Sequence, residues 1–201
     1  MKLKSIVAIC KSLKTAEVYT VPNTEEQWIG AGKAIYQINN LPELDRESLL
    51  TIFDVPEKEK EKWFIDFWTD SNPKGMSLKD MVAEEYQVET LEVNISCMEK
   101  SLVPIKVHKG IVFIDQKLLS PLIDIRPLTL YERKTAGGNV YIAAKAGMML
   151  KAVIIPTDII SKNLVDDMKT IAHYCDLMLE EKKINENLGQ MQIDADTGEV
   201  I

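Results

Sequence analysis

Residues 141–178 constrain the fold more than any other stretch of this 201-residue sequence. Just before them, Gly137 and Gly138 separate two segments rich in β-branched and aromatic residues, which predicts a β-hairpin. A second turn near Gly147 predicts a further strand over the almost wholly apolar residues 149–155. Pro156 ends that strand, and Thr157 or Asp158 is expected to cap a long helix.

The predicted helix carries an apolar stripe at helical spacing. Its members lie four, three, four and three residues apart: Leu164, Met168, Ile171, Cys175 and Met178. Such a stripe predicts packing on a sheet or, because the spacing resembles a coiled-coil seam, pairing with a second chain. These five residues form the candidate oligomer helix, and a homodimer is one of the two expected arrangements.

The remaining pattern predicts an α+β fold, in which antiparallel β-sheets have helices packed on one face. Strands are expected over residues 4–10, 16–21, 26–30, 34–38, 91–98, 103–107 and 111–115. Short helices are expected over 41–55, with Asp45 as cap, and over 77–87, with Ser77 as cap. Prolines at 121 and 127 predict an extended connection between them.

The Asn-Pro-Lys-Gly segment at 72–75 predicts a linker. This linker would separate an N-terminal half (1–72) from a C-terminal half (76–187). Alternatively, both halves form one composite domain over 1–187. A mobile acidic tail is expected over 188–201. Aligning Tyr19 with Tyr131 and Pro42 with Pro156 suggests two pseudo-repeated ββ(β)α halves. Such halves are similar to those of DNA sliding clamps, which implies a clamp-like or scaffold homo-oligomer.

Charge and cysteine content limit the partners. The net charge is −7, whereas coating nucleic acid needs clustered Lys and Arg, so we expect no direct sequence-specific nucleic-acid binding. The widely spaced Cys10, Cys97 and Cys175 indicate reduced thiols in a cytoplasmic protein. No apolar run is long enough for a signal peptide or a membrane span, so no membrane partner is expected.

Recognised catalytic and metal-binding motifs are missing from the sequence. His173 and Cys175 are two residues apart and face different sides of a helix, no Cys or His spacing suits zinc, and the Gly32 loop lacks the P-loop pattern. We therefore expect no cofactor, no metal and no catalytic residue. The alternative is a small carboxylate-dependent enzyme using Asp66 and Asp115, two acids flanked by apolar residues.

An aromatic cluster stands out at residues 63–68, where four aromatic residues lie among acidic ones. Large rigid side chains of this kind dominate many protein interfaces. The candidate partner surface comprises Trp63, Phe67, Trp68, Glu59, Asp66 and Asp70. Alternatively, two of the aromatic residues close the core over the sheet.

Two longer patterns, WIG-x-G-x-A-x-Y at 28–36 and YIAAKAG…LKAVI-x-P at 141–156, resemble proteins carried by phages and mobile elements of gut bacteria. The resemblance covers most of the chain and implies the cytoplasm of a host cell. There, small acidic phage proteins bind and block host proteins, as anti-defence and anti-CRISPR proteins do. Our first hypothesis is a non-enzymatic binding protein that inhibits or redirects a host nucleic-acid enzyme, such as a nuclease. The second is the scaffold homo-oligomer.

Overall fold

The structure is a computed structural model that describes residues 1–39, 41–97 and 99–190, with side chains described through Glu186. The chain divides into two units, Met1–Asp158 and Ile159–Ile201. Strands of the first unit and a long helix of the second confirm the predicted α+β class.

The described part of the chain forms eleven strands, numbered in chain order. They are β1 (Thr15–Thr20), β2 (Gln27–Ala31), β3 (Ala34–Ile38), β4 (Phe64–Thr69), β5 (Tyr86–Thr90), β6 (Ile95–Cys97), β7 (Lys100–Val107), β8 (Gly110–Asp115), β9 (Leu128–Lys134), β10 (Val140–Ala146) and β11 (Met149–Ile154). The helices are α1 (Leu3–Leu13), α2 (Arg46–Ile52), α3 (Glu57–Lys60), α4 (Gln116–Leu119) and α5 (Lys162–Gln190), with 3-10 turns at Pro73–Gly75 and Ser120–Leu122.

The strands are hydrogen-bonded in the order β4-β1-β2-β3-β11-β10-β9-β5-β7-β6, and β8 pairs with β7. Among the described strands, β4 and β1 form the one parallel pair. The antiparallel pairing of β3 with β11 joins strands from the two predicted halves into one sheet. Two antiparallel meanders, β1-β2-β3 and β9-β10-β11, thus meet edge to edge, although the predicted pseudo-repeat is not shown.

Both faces of the sheet bury apolar side chains, because successive residues of a strand point to opposite faces. On one face, Val18 and Tyr36 pack with residues of α1 and α2 such as Ile6 and Leu49. A second cluster comprises Tyr19, Trp28, Ile35, Met76, Leu78, Tyr141, Ala143, Leu150 and Val153. Met76 and Leu78 come from the irregular segment 76–85, so this segment covers part of the second face.

Several local predictions are confirmed. Gly32, Gly138 and Gly147 all have positive φ in the turns of the predicted hairpins, a conformation that costs glycine little. Asp45 caps α2, since its side chain accepts a hydrogen bond of 2.7 Å from the Ser48 amide.

Three local predictions are wrong. The segment 4–10 is part of α1 rather than a strand; Ile6, Ile9 and Cys10 lie on one side of this helix and are buried. The segment 77–87 is no helix, because its carbonyls at Ser77, Lys79 and Asp80 accept hydrogen bonds from a distant arginine. The expected extended connection at 121–127 begins instead with the turn Ser120–Leu122.

The second unit contains α5, which differs from its prediction at both ends. Ser161 caps this helix instead of Thr157 or Asp158, since its Oγ accepts from the Leu164 amide at 3.2 Å. The helix continues to Gln190, past residue 188, where the acidic tail was expected to begin. The rest of that predicted tail, 191–201, lies outside the described residues. None of the helices that the structure describes is both long enough and apolar enough to cross a membrane.

Candidate protein-binding edge

Strand β4 lies at one end of the sheet order and pairs only with β1 among the described strands. Its sequence, FIDFWT, suits a strand because aromatic and β-branched residues favour a pleated surface. The far side of β4 therefore presents backbone groups that no other described strand occupies. Such an edge is a template on which a further strand can form.

The hydrogen bonds to β1 show which backbone groups face outward. The Phe64 amide donates to the Lys14 carbonyl at 3.0 Å, so the backbone of Phe64 points towards β1. Backbone direction alternates along a strand. The N–H and C=O groups of Ile65, Phe67 and Thr69 therefore point away from β1, at the free edge.

Three of the four clustered aromatic side chains lie at the surface. Phe64, Phe67 and Trp68 are 63%, 44% and 53% exposed. Trp63 is only 5% exposed, and its ring packs 5.6 Å from that of Phe53. Trp63 therefore belongs to the core and does not fit the predicted partner surface.

Carboxylates lie beside the exposed aromatic residues. In the strand register, Asp66 lies opposite Glu17 and Trp68 opposite Tyr19. The Tyr19 hydroxyl donates to Glu17 at 2.6 Å. Burial raises the pKa of Tyr19, and the nearby negative charges of Glu17, Asp70 and Asp66 raise it further. These acids and Trp68 thus share one region of the second face.

We define the aromatic edge as Phe64, Asp66, Phe67, Trp68 and Thr69 of β4, together with Asp70, which follows the strand. Phe67 and Trp68, being consecutive, project from opposite faces of the sheet. Glu59, another predicted member of the partner surface, lies in α3 and forms an ion pair with Lys14 at 3.5 Å. The structure therefore keeps Phe67, Trp68, Asp66 and Asp70 at this edge, whereas the carboxylate of Glu59 is paired with Lys14.

The two carboxylates of the enzyme alternative are not brought together. Asp66 lies beside Tyr19, on the face of the second core cluster. Asp115 caps α4, where its carboxylate accepts a hydrogen bond of 3.0 Å from the Lys117 amide. Burial raises the pKa of Tyr36, which belongs to the opposite face, and the negative charges of Cys10 and Asp115 raise it further. Within the described residues, no group of three or more His, Cys, Asp or Glu side chains could hold a metal ion.

Sequence reasoning missed a buried charged cluster on β9 and β10. Arg133 and Lys145, 1% and 3% exposed, both form ion pairs with Glu85. Arg133 also donates to the carbonyls of Lys79 and Asp80, each at 2.8 Å. These bonds fix the segment 76–85 on the sheet, so the cluster is structural.

A cavity of about 1060 Å³ among the described residues also escaped prediction. It is an open groove between β5, β7 and β9 on one side and α4 with its following turn on the other. Apolar residues such as Val88 and Leu130 line it together with Lys117, Arg126 and Glu89. No histidine or cysteine is among the described residues that line it. Because its lining comes from separate segments, no local sequence pattern marked it.

The side chains of the predicted α5 stripe are almost all exposed. Met168, Ile171, Cys175 and Met178 are exposed, and Leu164 is half-buried. Within the second unit, no other part of the described chain buries these side chains.

The chain matches no protein-family model, no curated protein and no solved structure.

Proposed function

We propose that the protein is a non-enzymatic binding protein that accepts an extended segment of another protein as an added strand on β4. The observation that supports this proposal is the free edge itself, where the outward N–H and C=O groups of Ile65, Phe67 and Thr69 lie beside the exposed Trp68. In strand addition, backbone hydrogen bonds supply affinity, and side-chain contacts at alternate positions supply specificity.

The charges at the edge favour a basic segment. Asp66, Asp70 and Glu17 lie close together, and one of them, Glu17, is already paired with Lys74 at 2.7 Å. Lys or Arg side chains on an incoming strand would pair with the two other acids, and they would also contact the exposed face of Trp68. Complementary charge of this kind speeds association and selects the partner.

The net charge of −7 supports a narrower partner class. Proteins that hold nucleic acid present clustered Lys and Arg to the phosphates, and an acidic protein is complementary to such a surface. Together with the resemblance to phage proteins, this charge favours a host nucleic-acid enzyme, such as a nuclease, which the protein inhibits or redirects.

Selection from a displayed library of random linear peptides tests the strand-addition proposal. Thr69→Pro removes one outward N–H without removing a bond to β1, and an edge position of this kind tolerates proline. We expect enriched peptides that combine apolar and basic residues, with binding at least about tenfold weaker to Thr69→Pro than to the matched control Thr69→Ala. Equal binding to both variants would contradict the proposal.

The narrower partner class needs a separate experiment. Wild-type protein and Trp68→Ala are used to capture proteins from a nuclease-treated lysate of a gut bacterium. We expect a nucleic-acid enzyme to be retained by the wild type and depleted in the Trp68→Ala sample, and its activity to fall when wild-type protein is added. Recovery of such enzymes in equal amounts by both proteins would count against this class.

A further inference from the structure

From the geometry of α5 we infer that this helix pairs in parallel with α5 of a second copy of the chain, with Cys175 facing Cys175 across the seam. The inference concerns the second unit and does not depend on the binding edge of β4. It goes beyond the general expectation of a homodimer because it specifies orientation and register.

The spacing of the stripe places its residues at the seam positions of a heptad repeat. Met168 and Cys175 take position a, while Leu164, Ile171 and Met178 take position d. Three more apolar residues, Val165, Ala172 and Leu179, follow at position e. The apolar face is thus wider than a minimal seam over residues 164–179.

No other described part of the second unit covers this face, and an uncovered apolar face is unfavourable for a helix. Met168, Ile171 and Met178 all present large parts of their side chains to solvent. Helices derive most of their stability from burying an amphipathic face rather than from intrinsic propensity. A second copy supplies a matching apolar face and removes both surfaces from water.

The number of seam layers favours the parallel orientation. In a parallel in-register pair, each a residue faces a and each d residue faces d, so all five layers are apolar. In an antiparallel pair, a faces d, and two a positions cannot match three d positions. One layer is then lost: either Met178 faces Ser161 or Leu164 faces Lys182.

The flanking charges permit the parallel register. In that orientation a residue at g lies near the e residue of the next heptad on the other helix. Asp167 therefore lies near Ala172, and Tyr174 lies near Leu179. No pair of like charges meets along residues 164–179 of this arrangement.

The mass of the full-length protein, measured by light scattering over a range of concentrations, tests the pairing. Ile171→Glu places a charge in the seam, whereas the control Lys169→Glu changes an outward position on the same turn. We expect twice the chain mass for the wild type and Lys169→Glu, and the single-chain mass for Ile171→Glu. A wild type that stays monomeric would overturn the inference and would indicate that the apolar stripe of α5 binds a different protein. A dimer that survives Ile171→Glu would also overturn it.

Oxidation tests the orientation. With oxidised glutathione, the two facing Cys175 thiols would form one disulfide and release two molecules of reduced glutathione. We expect a covalent dimer in the wild type and in Cys97→Ser, and none in Cys175→Ser. A dimer by light scattering that forms no Cys175 cross-link would contradict the parallel register. Thr69→Pro should dimerise normally, so failure at the β4 edge and failure at α5 can be distinguished.

Discussion

The guanidinium group of Arg133 lies 2.6 Å from the carboxylate of Glu85 and is completely shielded from solvent. The same arginine donates to backbone carbonyls of the segment 76–85, and that segment places Met76 and Leu78 in the second core cluster. One buried cation thus attaches an irregular segment to the sheet. A buried charge is tolerated only when it is paired and fully hydrogen-bonded, as it is here.

We predict that Arg133→Met lowers the free energy of unfolding by about 3–5 kcal/mol, because removal of one partner breaks a buried charged network. Denaturation by urea measures this change. Lys134→Met is the matched control, since Lys134 is the exposed next residue of the same strand, and it should change stability by less than about 0.5 kcal/mol. Similar midpoint urea concentrations of unfolding for the two variants would contradict a structural role for Arg133.

The ionisation of Glu85 predicts a pH dependence. Burial alone would raise the pKa of Glu85, but hydrogen bonds from Lys145 and Arg133 outweigh it and hold the pKa below its ordinary value of 4.5. A depressed pKa adds stability that is present above pH 4.5 and is lost as the pH falls below that value. The difference in unfolding free energy between wild type and Glu85→Gln should therefore shrink below pH 4.5. The exposed Glu84→Gln should follow the wild type throughout, and a constant Glu85→Gln difference would refute the prediction.

The two tryptophans of the aromatic cluster should behave differently. Trp63 packs on Phe53 in the core, so Trp63→Ala should cost about 3–5 kcal/mol of stability. Trp68 is exposed, and Trp68→Ala should change stability by less than about 0.5 kcal/mol while weakening peptide binding. Thermal or urea unfolding measures both effects, and a large loss of stability in Trp68→Ala would show that this ring is needed for packing.

Cys10 should resist alkylation in the folded protein. Burial raises the pKa of its thiol to about 12, so almost none of it is thiolate at neutral pH, and the thiolate is the reactive form. Mass spectrometry after treatment with iodoacetamide should find Cys10 unmodified in native protein and modified in denaturant. Rapid modification under native conditions would indicate that α1 opens readily.

The sequence predicted those parts of the fold that depend on local patterns. The hairpins around Gly32 and Gly138 and the helix capped by Asp45 follow from turn chemistry and capping within a few residues. The helix α1 was mistaken for a strand because its apolar run is short, and such runs do not distinguish the two. The segment 77–87 was mistaken for a helix because Arg133, which determines its shape, lies far away in the chain.

The candidate site was predicted only in part, for the same reason. The composition of residues 63–68 indicated an interaction surface. Which aromatic rings are exposed depends on the parallel pairing of β4 with β1, across more than forty residues of chain, and no local pattern reveals such a pairing. Trp63 lies just before β4 and enters the core, whereas Trp68 within the strand does not.

Amide hydrogen exchange along β4 tests the central claim most directly. In the free protein, we expect fast exchange at Ile65, Phe67 and Thr69, whose N–H groups face the open edge, and slower exchange at Phe64, which bonds to Lys14. Addition of a peptide selected on the wild type should slow exchange at the three outward positions and leave Phe64 little changed. A peptide that binds without slowing those three amides would contradict strand addition at β4.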